Sequence, residues 1–177
     1  MPTPEQDLAF VQTGLEELET YLLSDELFWP LAGPASLPRL TIGGLLLAMR
    51  RVQGRSPAAA IRAEAALDLV RSKWRSAWEK KARREVHARI ALWTNYLADA
   101  RQTPGMQDES YPQQVQVRAM LQLLAGELSE VLPGLPVLAD LDIVLRSTWL
   151  PGAFAWDADL QAIFPREEFW FLYGTLK

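Results

Sequence analysis

Cysteine is absent from the 177 residues, histidine and asparagine occur once each, and the most apolar stretch, LTIGGLLLAM at 40–49, is ten residues long. Each scarcity removes a class of function. Without cysteine there are no disulfides, thiolate metal sites or cysteine nucleophiles. His87 alone cannot build a multi-histidine metal site or the paired Glu-x-x-His motifs of di-iron bundles. A Ser–His–Asp set would have to use His87, and no Gly-x-Ser-x-Gly elbow occurs. Ten apolar residues are too few to span a bilayer. The opening MPTPEQDLAF has neither a basic leader nor an apolar core, unlike a signal peptide. These absences lead us to expect a soluble cytoplasmic protein with no membrane contact, no metal and no cofactor.

Basic residues are missing from the first 38 positions, which carry a net charge of −7. Residues 39–101 carry +9 and residues 102–177 carry −6. This acidic–basic–acidic order suggests that the basic middle lies against the chain's own acids. Nearly half the residues are hydrophobic and 23% are charged, an ordinary globular composition. The length fits a single domain spanning 1–177.

Helical signals dominate. Thr3-Pro4-Glu5-Gln6 has the cap, proline and N3 glutamine of a helix start. Leu8, Val11, Leu15, Leu18 and Leu22 follow at steps of three and four, predicting a helix over 4–23. A proline-rich connector then leads to a helix restarting at Ser36 or Pro38 and running to Val52. From Ser56-Pro57 no glycine or proline intervenes before Pro104. An unbroken helix over 57–100 would be about 66 Å long at ~1.5 Å per residue. That exceeds a compact domain of this size, so the helix either breaks near Ser72 or Ser76 or extends onto a second copy. Its apolar positions change side midway: Leu67, Val70, Trp74 and Trp78 share one face, and Ala82, Val86, Ile90, Trp93 and Leu97 another.

Further helices are predicted over 110–132, with Ser110 and Gln113 as a capping box, over 137–147, and as two short pieces at 157–164 and 165–173. VLPGLP (131–136) reads as a turn and WLPGAFAW (149–156) as irregular. No alternating strand pattern of useful length occurs. The predicted fold class is all-α, a bundle of five to seven helices containing one unusually long helix, 57–100, straight or bent.

RSKWRSAWEKKARRE (71–85) holds seven Lys or Arg and two Trp. Lys73, Lys80, Lys81, Arg83 and Arg84 form a cationic ridge that could take phosphates or an acidic partner. The competing reading is a solvated face, or one paired with the chain's own acids, with Trp74 and Trp78 turned into the core. DADLQAIFPREE (157–168) places acids at several EF-hand loop positions, but Ala162 stands where that loop needs glycine. Asp157 as a helix cap is the simpler reading. Gly43-Gly44 lacks the surroundings of a phosphate loop and suggests close helix packing instead.

Seven tryptophans is a high number for this length. Trp29, Trp149 and Trp156 lie in or beside the irregular segments, and a ligand pocket, if present, is expected where 24–38 meets 149–156. With no catalytic set in view, the leading expectation is a non-enzymatic helical protein that binds another protein or itself. A small-molecule binder or enzyme at the tryptophan pocket is the first alternative, and weak nucleic-acid binding through residues 73–84 the second.

Overall fold

The computed structural model describes residues 1–34, 37–102, 109–128 and 135–177. The fold is all-α. Among the described residues there are six α-helices, with a 28-residue helix the longest, and one small two-stranded sheet. None of these helices is long and apolar enough to cross a membrane. The chain divides into two compact units, Pro2–Glu85 and Val86–Lys177.

In the first unit, α1 (Pro4–Leu23) starts at the expected capping box: Gln6 N–H donates to Thr3 Oγ1, and Thr3 N–H donates to Gln6 Oε1. Its buried stripe is rotated from the leucine pattern and consists of Asp7, Phe10, Val11, Gly14, Leu18, Tyr21 and Leu22. Leu8 and Leu15 lie at its margin. The small and charged members decide the rotation. A Cβ on Gly14 would stand 3.1 Å from Leu40 Cδ1, so glycine there lets the chain after the connector pack directly on the helix.

The second helix, α2 (Ile42–Arg55), begins later than the sequence suggests. Residues Trp29 and Leu40 form an antiparallel bridge, which holds the chain extended up to Thr41. Thr41 then caps the helix by accepting from Gly44 N–H at 3.0 Å. Ser36, the other expected start, lies outside the described residues. Gly43 has a role apart from close packing: its N–H donates at 2.9 Å to the fully buried carboxylate of Glu85. An anion is favoured there by the dipole of the helix N-terminus.

The predicted long helix is broken. The third helix, α3 (Pro57–Lys73), ends at Trp74, whose backbone leaves helical geometry (φ −116°, ψ 35°), and α4 (Arg75–Gln102) follows at once. The break falls between the two serines singled out from the sequence, one turn before the apolar face changes side after Trp78. At ~1.5 Å per residue, α4 is about 42 Å long. In the first unit α1, α2 and α3 pack on one another.

The second unit contains α5 (Tyr111–Gly126), α6 (Leu135–Thr148) and the segment after them. Ser110 precedes α5 without making the side-chain cap predicted for it. The last described turns place the end of α5 at Gly126, and the predicted turn at 131–136 falls mostly outside the described residues. WLPGAFAW is partly ordered, because β1 (Trp149–Pro151) pairs antiparallel with β2 (Gly174–Leu176). The two short helices expected over 157–173 are reduced to 3-10 turns at Ala158–Ile163 and Trp170–Leu172.

Candidate binding surfaces

The cationic ridge is built where the start of α4 meets the end of α1. No basic residue stands in the last turn of α1, leaving the negative end of its dipole without a cation of its own. Lys81 supplies one from α4. Its Nζ donates to the Glu26 carbonyl and to Ser24 Oγ (3.3 Å), and lies 4.5 Å from the Tyr21 ring centre. Ser24 Oγ in turn donates to Tyr21 O and accepts from Glu26 N–H, so one hydroxyl gathers the turn. Lys81 is 3% exposed. Burial, and then the neighbouring Arg84 charge, hold its pKa below the ordinary lysine value.

The other ridge residues meet different fates. Lys73 pairs with Glu19 at 3.1 Å, across 54 residues of sequence, and lies 5.2 Å from the Trp74 ring. That contact, together with the Trp74 indole, lowers the Glu19 pKa. Arg83 pairs with Glu79 at 3.5 Å. Arg84 donates from Nη1 to Asp25 O at 3.0 Å, and Lys80 is exposed. The structure thus brings Lys80, Lys81 and Arg84 together around a cleft of about 170 Å³, floored by Leu22, Leu23 and Ala77 and edged by Ser24 and Asp25. Lys73 and Arg83 stand outside it. Trp78 is fully buried and offers no stacking surface.

The three candidate pocket tryptophans are divided between the units. In the first, Trp29 Nε1 donates at 2.6 Å to Glu17, whose other oxygen accepts from Ala32 N–H at 2.7 Å. The carboxylate therefore pins the connector to α1. In the second, Trp149 meets Trp170 edge-on at 5.3 Å, and Trp156 meets Phe164 edge-on at 5.1 Å. Phe169 and Phe171 extend this cluster. Trp156 Nε1 donates to Pro112 O, Tyr111 Oη to Phe171 O and Tyr173 Oη to Phe164 O, each at 2.7 Å. Where the backbone has little ladder to join, these aromatic tips satisfy its carbonyls. Arg118 grips Asp142 with Nε and Nη2 (2.8 and 2.9 Å) and lies over Phe171 at 4.4 Å.

A surface that the sequence reading did not single out lies on α3. The helix buries only Ala60, Ala63 and Leu67. On another side Ile61 and Leu69 are 72% and 75% exposed, with Ala58 and Ala65 exposed on the same stripe. The signal was available as apolar residues at 58, 61, 65 and 69, steps of three and four.

The first unit therefore offers two unlike surfaces, a compact cationic cleft and an apolar helix stripe. No protein-family model matches the chain, and no curated protein or solved structure matches it either.

Proposed function

We propose that this protein acts by association rather than catalysis, and that its partner is a second copy of itself meeting it along α3. The observation that supports this reading is the exposure of Ile61 and Leu69 on one stripe of a helix that is already anchored by a different stripe. Isolated exposed leucines are commonplace, whereas aligned ones on a single helix are a docking face. The stripe is also self-complementary. Ile61 and Leu69 each lie four residues from Ala65. Two copies crossing antiparallel over Ala65 place each Ile61 in one layer with Leu69 of the other copy. The small central residue lets the axes approach. That is the self-matching patch required by two-fold association.

The contact is modest. One helix face covers less than the roughly 1,600 Å² of a standard interface, so the dimer is weak and concentration dependent. A cytoplasmic location belongs to the same reading. Light scattering across a concentration series tests it: dimer forms at high concentration for the wild type, and Leu69→Glu or Ile61→Glu remains monomeric with an unchanged melting temperature. A wild-type monomer at every concentration would remove the reading.

A further inference from the structure

We propose that the cleft between the end of α1 and Lys80–Arg84 of α4 binds a small phosphomonoester. This site is separate from the α3 stripe and does not depend on self-association.

The argument rests on how the cations are satisfied. Lys81 Nζ and Arg84 Nη1 donate to Glu26 O, Ser24 Oγ and Asp25 O, all neutral acceptors. Lys81 is thereby committed to the negative end of α1, whereas the one bond of Arg84 to a carbonyl leaves the rest of its guanidinium open to a ligand. Lys80 has no hydrogen-bond or ion-pair partner among the described residues, and neither do Nε and Nη2 of Arg84. Nearby cations are treated differently: Lys73 and Arg83, just outside the cleft, are each held by a glutamate. The chain thus pairs the flanking positions with carboxylates and leaves Lys80 and Arg84 exposed at the centre, beside a Lys81 held by the end of α1.

Charge and size narrow the ligand. The lining holds three cations against one carboxylate, that of Asp25. Glu26 presents its carbonyl to Lys81, and its carboxylate, which also acts on that lysine, is not part of the lining. With Lys81 held at the end of α1 and answered by the Asp25 and Glu26 charges that act on it, Lys80 and Arg84 are the two cations a ligand meets, and a phosphate monoester of roughly −1.5 to −2 at neutral pH engages both. The free fork of Arg84 suits two phosphate oxygens, with Lys80 as a mobile point charge. A volume of about 170 Å³ is below the range of roughly 300–1,000 Å³ usual for drug-sized ligands. It suits a phosphate carrying a short carbon chain, which Leu22, Leu23 and Ala77 would cover.

The test is a titration of the isotope-labelled full chain, followed by amide resonances, with inorganic phosphate, glycerol phosphate, acetate and chloride at matched ionic strength. We expect saturable shifts confined to Ser24, Asp25 and residues 80–84 for the two phosphates, with glycerol phosphate at least as tight. Arg84→Gln and Lys80→Gln should each weaken binding by about tenfold or more. Asp25→Asn should tighten it several-fold by removing a like charge from the lining. Circular dichroism checks that these surface variants remain folded. Shifts that grow linearly without saturating, equal binding of acetate, or phosphate binding unchanged in Arg84→Gln would each overturn the assignment.

Discussion

Asp7 and Arg51, 44 residues apart in sequence, meet through hydrogen bonds of 3.0, 2.9 and 2.6 Å, with their side chains 2% and 6% exposed. Arg55 adds a further bond to Asp7 at 3.2 Å. A carboxylate placed on the buried stripe of α1 is tolerable only because α2 brings guanidinium groups to it. Breaking one side leaves an uncompensated buried charge, which costs about 3–5 kcal/mol. Asp7→Ala should lose that much in urea unfolding, whereas Asp7→Leu combined with Arg51→Met should recover most of it. A loss below about 1 kcal/mol for the single variant would show the pair to be dispensable.

Tyr111 contributes to alkaline stability in the second unit. Its hydroxyl is buried and donates to Phe171 O, and burial raises its pKa above the ordinary 10.0. Between that ordinary value and the folded one, the native state holds a proton that the unfolded state has released. Stability is therefore fully present below pH 10 and falls as pH rises above it. Unfolding midpoints measured from about pH 9 to about pH 11 should fall steeply in the wild type and less in Tyr111→Phe. At neutral pH that variant should lose about 1–3 kcal/mol, because Phe171 O loses its donor.

Lys81 carries the opposite sign. Its lowered pKa means that the unfolded chain binds more protons in the window below the ordinary value of 10.5, so its contribution rises with pH through that window. Lys81→Met should remove this rising component. It should also loosen the 24–27 turn, which hydrogen exchange at Glu26 would report. An unchanged pH profile together with unchanged exchange would deny Lys81 its place as the cation at the end of α1.

Gly174 is required by steric contact alone. A Cβ there would stand 2.1 Å from Leu150 O and 2.5 Å from Trp149 Cε2, and the first of these is backbone that cannot yield. Gly174→Ala should separate β1 from β2 and cost about 3 kcal/mol, at the upper end for overpacking. Gly126→Ala, with nothing near its Cβ, is the matched control. Tryptophan emission should shift in the first variant only, since Trp149 and Trp170 lie at this strand pair.

The parts of this fold that were legible in the sequence are those set by neighbours along the chain. The capping box at Thr3 and Gln6 and the extent of α1 depend on residues within a turn or two, whereas the sequence left open whether the 57–100 helix breaks or runs on. The phase of α1 differs from its leucine pattern because Asp7 and Gly14 are buried by Arg51 and Leu40, far along the chain. Thr41 does not stand out as a cap in the sequence because the Trp29–Leu40 bridge that holds the preceding chain extended is a non-local pairing. Strands of three residues are too short to show a period, so β1 and β2 left no pattern to read. The ridge was visible as a run of cations, but its division into paired Lys73 and Arg83 and unpaired Lys80 required knowing where Glu19 and the 24–26 turn would lie. For Ile61 and Leu69 the spacing was present, yet a helix with apolar residues on two sides does not reveal from sequence which side is covered.

The break at Trp74 also uncouples the two helices as units of variation. In a continuous helix, inserting or deleting one residue turns every later side chain by about 100° relative to the earlier ones. Here a single non-helical residue separates α3 from α4, so the phase of Trp78, Lys81 and Glu85 is set from Arg75 onward and not by the α3 stripe. The exposed stripe of α3 can therefore change in composition while the α4 contacts to Ser24, Glu26 and Gly43 keep their own phase.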